Sequence, residues 1–247
     1  MAPAMGMPLR SQRAVNLIID NQSISFDQLI GYKLNTGMES ADRFLDDLFG
    51  SIEKYPDTAT VNAIAVLKKW DRKTDINSKG AILFAAWWDG VRSNMFETPW
   101  SPEHPFESPD GLKYPKLVSD LLVKAANNVR NKYGSIDVAW GDVYRFRMNG
   151  IDYPANGGPD QYGIFRTIYY TEDTDNKMYA VAGDTYVAIT EFGKKVRAQV
   201  LLSYGNSTQP GNKHVGDQLK MMSEKKLRPA LLSMDDILKN LERRDSF

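Results

Sequence analysis

Residues 140–166 read WGDVYRFRMNGIDYPANGGPDQYGIFR, and this stretch decides the fold class. Its first half alternates in polarity and contains an Asn-Gly pair at 149–150, which is a strong short-range signal for a β-hairpin. Segments rich in β-branched and aromatic residues follow it as far as residue 207, with turn residues between them. We therefore expect four to six antiparallel strands after residue 134.

The sequence before residue 134 has helical periodicity instead. Ser25 with Gln28 three residues later predicts a capped helix start, and apolar residues recur at helical spacing over 38–55. Helices are also predicted over 59–70, 80–96 and 116–134, while the prolines of 98–115 predict an irregular, lid-like connection. The tail after residue 216 returns to helix, broken by Pro229.

Helices first and strands later predict an α+β fold rather than an alternating α/β fold. We expect a mainly helical part over 1–133 and an antiparallel-sheet part with C-terminal helices over 134–247. The composition suits a folded core, because 42% of the 247 residues are hydrophobic. The 31 basic residues balance the 31 acidic ones, so neither nucleic acid nor a membrane is an expected partner.

Two residue counts limit the chemistry of the chain. It contains no cysteine, which excludes disulfides, thiol nucleophiles and cysteine-bound zinc. His104 and His214 are the only histidines, so a multi-histidine metal site is excluded within this chain. It also contains no Walker loop, no GxGxxG fingerprint, no HExxH motif and no GxSxG elbow.

Asn156 is the candidate functional residue that the sequence itself suggests. It lies between Pro154-Ala155 and a Gly-Gly pair, where a ligand can approach the backbone closely. An amide side chain is a neutral hydrogen-bond donor, which suits an oxyanion hole for acyl transfer. The same residues also suit a plain turn that tolerates positive φ, and spacing alone does not separate these two interpretations.

Two long blocks, 140–166 and 182–218, resemble the penicillin amidase family. The first is similar to the family's Trp-Gly-Asp run, Pro-Ala-Asn-Gly-Gly turn and Gly-x-Phe-Arg strand; the second is similar to its Gly-Asp-Ser/Thr strand and its Tyr-x-x-Ser-x-x-Pro segment. Stretches 39–48 and 65–88 resemble helices of the same family. The resemblance is nearest to the aculeacin-type and acyl-homoserine-lactone acylases, with the related cephalosporin acylases.

The resemblance implies the C-terminal part of the catalytic β chain of an αββα N-terminal-nucleophile hydrolase. It places Asn156 at the side-chain oxyanion-hole position and gives Arg166 an orienting role, with a surface strand residue as the alternative for Arg166. His214 is expected to be structural. The family requires no cofactor, although calcium occurs in some members; Asp160 is then a candidate ligand or an ordinary turn carboxylate.

The implied activity is hydrolysis of a linear amide, which releases an acyl group from a β-lactam, a lipopeptide or an acyl-homoserine lactone. In the family an N-terminal Ser, freed by self-cleavage, attacks the amide carbonyl and its own α-amino group acts as the base. No such start occurs here: the nearest Gly-Ser pair, Gly134-Ser135, lies inside the matched region. We therefore expect a chain that is inactive alone.

The implied partners are the missing N-terminal part of the β chain, the α subunit and a small N-acyl amide substrate. Relatives are usually periplasmic or secreted. The alternative function is a catalytically inactive, truncated or accessory polypeptide that packs with another subunit. Truncation is expected to expose strand edges and apolar surface where the missing part would pack.

Overall fold

The computed structural model describes residues 6–244 and has helices in its first half and mainly antiparallel sheets in its second. The predicted α+β class is confirmed. The helices are α1 (Leu9–Asn16), α2 (Phe26–Lys33), α3 (Glu39–Lys54), α4 (Val61–Lys69), α5 (Ala81–Trp88), α6 (Pro115–Tyr133), α7 (Trp140–Val143), α8 (Leu219–Ser223) and α9 (Met234–Lys239).

The first-half helices form where local sequence signals predict them. Ser25 Oγ accepts a hydrogen bond from Gln28 N, and Gln28 Oε1 accepts one from Ser25 N, so α2 begins with a complete capping box. α6 ends at Tyr133 and is capped by Gly134, whose φ of 79° is a left-handed conformation that glycine adopts without strain. The helix predicted over 80–96 is shorter than expected: it corresponds to α5, which ends at Trp88.

A first hydrophobic core holds these helices together. The apolar stripe of α3 and nearly all of α5 are buried in it, and they pack against the inner face of α6. Trp87 is fully buried, whereas Trp88 is partly buried and its ring lies 5.1 Å from that of Phe44. Both tryptophans are therefore core residues.

The strands of residues 6–244 form three sheets. They are β1 (Phe96–Thr98), β2 (Asp110–Leu112), β3 (Tyr144–Met148), β4 (Ile151–Pro154), β5 (Ile168–Glu172), β6 (Met178–Gly183), β7 (Tyr186–Glu191), β8 (Arg197–Leu202) and β9 (Arg228–Pro229). β1 pairs with β2, the largest sheet has the order β4-β3-β6-β5, and β7-β8-β9 form the third. A second, smaller core lies between the last two sheets and α8.

The predicted hairpin connects β3 to β4. Met148 pairs with Ile151, and Asn149 and Gly150 have φ values of 46° and 80°. Two positive φ values identify a type I′ turn, whose twist matches that of the flanking strands. Within residues 134–244 the structure has seven strands, β3–β9, rather than four to six. Not every pair is antiparallel: β3 and β6 run parallel, with Tyr144 opposite Met178. Alternating polarity predicts that a segment is a strand, but it does not predict whether the neighbouring strand runs parallel or antiparallel to it.

Two further segments differ from the sequence prediction. The proline-rich connection 98–115 is closed at its base by the β1–β2 pair, with Phe96 opposite Leu112. The tail forms two short helices rather than a long broken one, and Pro229 lies in β9, where it pairs with Gln199 of β8. No helix among residues 6–244 is long and apolar enough to cross a membrane.

Candidate functional site

The turn that carries Asn156 follows directly from β4. Gly157 has a φ of 80°, and a Cβ there would lie 2.6 Å from the carbonyl oxygen of Arg166. Only glycine fits that backbone. Gly157 N donates to Thr74 O at 3.2 Å, and Gly158 N donates to Arg166 O at 3.3 Å. The turn is therefore fixed from both sides by backbone hydrogen bonds.

The side chain of Asn156 is 1% exposed and faces the C-terminal end of α8. Its Nδ2 donates to Ser223 O at 2.7 Å and makes a longer contact, 3.4 Å, with Met222 O. Oδ1 has no hydrogen-bond partner among residues 6–244. Tyr170 Oη donates to the backbone carbonyls of Asn156 and Gly157, and burial raises the pKa of that hydroxyl, which keeps it protonated.

Arg166 is fully buried, so the surface-strand interpretation of this residue is wrong. Its Nη2 donates to Met222 O at 2.9 Å, whereas Nε and Nη1 have no partner within the described part of the chain. Burial lowers the pKa of the guanidinium, and the negative charges of Asp184 and Asp75 oppose that shift. β5 begins only at Ile168, which leaves Arg166 in the irregular segment before it.

Asn156 and Arg166 therefore meet at one point, the carbonyl oxygen of Met222. That oxygen belongs to the last turn of α8, and besides these two side chains it accepts a 3.4 Å contact from Lys225 N just beyond the helix. The sequence did not predict this part of the site, because backbone oxygens leave no residue signature.

The other candidate residues lie away from this point. His214 lies in a partly exposed loop between Asp217 and Glu242, with Nδ1 and Nε2 2.9 and 2.8 Å from their carboxylates. Ser135 is exposed just after α6, and its Oγ accepts from Asp137 N. His104 is exposed in the proline-rich connection. None of these side chains takes part in the Asn156 contacts.

Asp160 opens a short 3₁₀ turn, Asp160–Tyr162, just after the glycines. Among residues 6–244, no three His, Cys, Asp or Glu side chains come close enough together to hold a metal ion. The role of Asp160 as a calcium ligand in a larger enzyme stays a prediction. Within this chain it is a turn carboxylate near Tyr169.

The arrangement can hold an oxygen atom that carries partial negative charge. A neutral amide and a guanidinium donate to the same oxygen, and both are fixed on a buried scaffold. Preorganised donors of this kind stabilise charge that develops on a carbonyl oxygen. The 3.4 Å distance from Asn156 Nδ2 to Met222 O is longer than an ordinary N–H···O bond. This N–H is therefore the donor that could instead bind the oxygen of a reacting group.

Comparison with known proteins identifies the family to which the sequence is similar. The family model described as penicillin amidase matches residues 1–239. Acyl-homoserine lactone acylases PvdQ of Pseudomonas savastanoi pv. phaseolicola and of Pseudomonas syringae pv. tomato are each 27% identical over 214 residues. In both cases the match covers 82% of this chain and 28% of the relative, so the chain spans little more than a quarter of their length.

A solved structure supports the fold. The thermostable penicillin G acylase of Alcaligenes faecalis superposes with a TM-score of 0.51 at 13% identity. The superposition covers 96% of this chain and 52% of that one.

Proposed function

The chain belongs to the penicillin amidase family, and we propose that it is the C-terminal part of the catalytic chain of an acylase that hydrolyses linear amides. The reaction releases an acyl group from an N-acyl amine such as an acyl-homoserine lactone, a lipopeptide or a β-lactam. In this proposal Asn156 donates a hydrogen bond to the oxyanion, and Arg166 orients the site.

The convergence of two donors on one oxygen carries the proposal. Asn156 and Arg166 both reach Met222 O, although they come from different sides of the Gly157 turn. In the complete enzyme, the oxyanion of a tetrahedral intermediate would accept the hydrogen bond that Asn156 Nδ2 here makes to Met222 O at 3.4 Å. The 2.7 Å bond to Ser223 O would keep the amide oriented. One such donor lowers the barrier by about 3–4 kcal/mol.

The nucleophile and the base are proposed to come from polypeptide outside this chain. The serines and threonines that surround Asn156 support this, because they are used in structural hydrogen bonds. Ser223 Oγ donates to Pro154 O at 2.6 Å, and Thr74 Oγ1 donates to Thr36 O at 3.2 Å. The relatives are more than three times the matched length, which leaves room for the rest of the β chain and an α subunit.

The second candidate function is that of an inactive accessory or truncated polypeptide. Two observations favour it. Asn156 is buried with both amide hydrogens directed at α8, and the tail exposes a stripe of apolar side chains at helical spacing, Met234, Ile237, Leu238 and Leu241. A surface of this kind fits contact with another polypeptide.

The two functions differ in what the gene encodes upstream. An in-frame Gly-Ser pair at the start of a family-like segment supports the acylase, and unrelated upstream sequence supports the accessory polypeptide. The decisive assay compares amine release from an N-acyl-homoserine lactone by the polypeptide of the full reading frame and by the 1–247 chain. The proposal predicts release by the first and none by the second. Export to the periplasm and a structural calcium ion belong to the same proposal.

A further inference from the structure

The end of α8 is held against Asn156 by a residue in an unusual backbone conformation. Lys226 N donates to Met221 O at 2.8 Å and Lys225 N donates to Met222 O at 3.4 Å, which is the hydrogen-bond pattern of a Schellman motif. Lys225 occupies the left-handed position of this motif with a φ of 54°. Glycine is the residue usually found there, because a side chain in this conformation costs free energy.

The side chain of Lys225 accounts for this departure. Its Nζ lies 2.5 Å from Asp75 Oδ1, and the same oxygen accepts a hydrogen bond from Thr36 Oγ1 at 2.8 Å. Neither residue of the ion pair is fully exposed, with side-chain exposures of 34% for Lys225 and 30% for Asp75. A backbone conformation that disfavours lysine is thus combined with a contact that only a cationic side chain makes.

Asp75 is in turn joined to the Asn156 turn. The residue before it, Thr74, accepts from Gly157 N, and Thr74 N donates to Thr36 O at 3.1 Å. The segment 74–75 therefore contacts the turn through a backbone hydrogen bond and α8 through an ion pair. No motif in the sequence links residues 75 and 225, which are 150 positions apart.

We propose that Asp75 and Lys225 are positioning residues for Asn156. Their ion pair fixes the end of α8 relative to the turn, so that Ser223 O and Met222 O hold the carboxamide of Asn156 in one orientation. This inference rests on the acylase proposal for its functional meaning, since an oriented amide matters only where it donates to a reacting oxygen. Its structural content concerns the 1–247 chain alone.

The test measures the exchange of the two Asn156 side-chain amide protons with D₂O by NMR in the 1–247 chain. Asp75→Asn and Lys225→Met remove the ion pair, and the exchange should become about fivefold faster, which matches the upper range for a partly exposed pair. Lys226→Met is the matched control, because Lys226 pairs with Glu224 on the outer side of the same turn. It should leave the exchange unchanged.

Lys225→Gly separates the side chain from the backbone. Glycine suits the left-handed position, so this variant should fold at least as well as the wild type, yet exchange of the Asn156 amide should still accelerate as in Lys225→Met. The charge-swapped double variant, Asp75→Lys with Lys225→Asp, should restore slow exchange of the Asn156 amide protons, since aspartate tolerates positive φ. Wild-type exchange rates in Lys225→Gly and Asp75→Asn, or equal acceleration in Lys226→Met, would overturn the proposal.

A kinetic readout ties the ion pair to the reaction. In the complete enzyme, Lys225→Gly should lower kcat about fivefold and leave KM within twofold, because an oxyanion donor acts in the transition state. An unchanged kcat together with faster amide exchange would reject the effect of the ion pair on turnover, but not its effect on the orientation of the Asn156 amide. If Asn156→Ala has no effect on turnover, the oxyanion role of Asn156 in an acylase is rejected. The amide-exchange measurement on the 1–247 chain tests the positioning role of the ion pair independently of that result.

Discussion

Asn156 and Arg166 donate to the same atom, the carbonyl oxygen of Met222, at 3.4 and 2.9 Å. The two side chains are buried, and each retains polar atoms without a hydrogen-bond partner among residues 6–244: Oδ1 of Asn156, and Nε and Nη1 of Arg166. A buried polar group without a partner is costly. The pair therefore forms a site whose hydrogen-bonding capacity exceeds what this chain uses.

Asn156→Ala should destabilise the 1–247 chain. The substitution leaves Ser223 O, which accepts the 2.7 Å bond, without that donor in a buried position. We expect a loss of about 1–3 kcal/mol in the free energy of unfolding, measured by urea titration. Asn127→Ala, on the exposed side of α6, is the control and should change it by less than about 0.5 kcal/mol. Equal effects of the two would contradict the assigned contact.

Arg166→Met should behave differently from an ordinary loss of a buried ion pair. Within the described residues, no carboxylate lies within 4.0 Å of the guanidinium, so the wild type carries the desolvation cost without a salt bridge. Replacement by an apolar side chain of similar length should change the unfolding free energy by less than about 1 kcal/mol. A loss of about 3 kcal/mol or more would show that Arg166 has an ionic partner in solution.

Much of the fold, but only part of this site, was predictable from sequence. Local sequence signals predicted the apolar stripe of α3, the Ser25 capping box and the Asn149-Gly150 hairpin, because each depends on residues close together in the chain. The parallel pairing of β3 with β6 and the burial of Arg166 depend on contacts between distant segments. The contacts of α8 with Asn156 go to backbone oxygens, which no residue type reveals.

Gly150→Ala tests the type I′ turn that places β4 before the Asn156 turn. The φ of Gly150 is 80°, and a Cβ there meets no atom within 4 Å, so strain rather than collision is the expected cost. We predict a loss of about 1 kcal/mol in the free energy of unfolding. Gly31→Ala, in open space on α2, is the opposite control and should be neutral or stabilising by up to about 1 kcal/mol. Reversed signs would show that the turn has another conformation.

An ion pair between β3 and the turn that connects β5 to β6 predicts a specific pH dependence of stability. Arg147 Nη2 lies 2.7 Å from Asp175 Oδ2, and hydrogen bonding from Arg147 lowers the pKa of Asp175 from 3.8 to about 2. A carboxylate whose pKa is lower in the folded state stabilises the fold at pH values above its unfolded-state pKa. This stabilisation is lost as the pH falls towards the folded-state pKa. Between pH 4 and 2 this contribution should disappear.

Arg147→Met should return the pKa of Asp175 towards 3.8 and flatten the loss of stability between pH 4 and 2. Carboxyl ¹³C titration by NMR measures the first effect, and urea unfolding at several pH values measures the second. Arg197→Met, which breaks an exposed pair with Glu191, should leave the titration of Asp175 unchanged. An Asp175 pKa near 2 in Arg147→Met would contradict the assigned cause.

If this chain supplies the oxyanion donor of an acylase, turnover of the complete enzyme depends on the side chain of Asn156. The measurement is kcat for release of homoserine lactone from an N-acyl-homoserine lactone by the product of the full reading frame, with Asn127→Ala as the matched control. We predict that Asn156→Ala lowers kcat about a hundredfold or more, because one oxyanion donor is lost, while the control keeps wild-type turnover. Wild-type kcat in correctly folded Asn156→Ala enzyme would contradict the oxyanion role of Asn156.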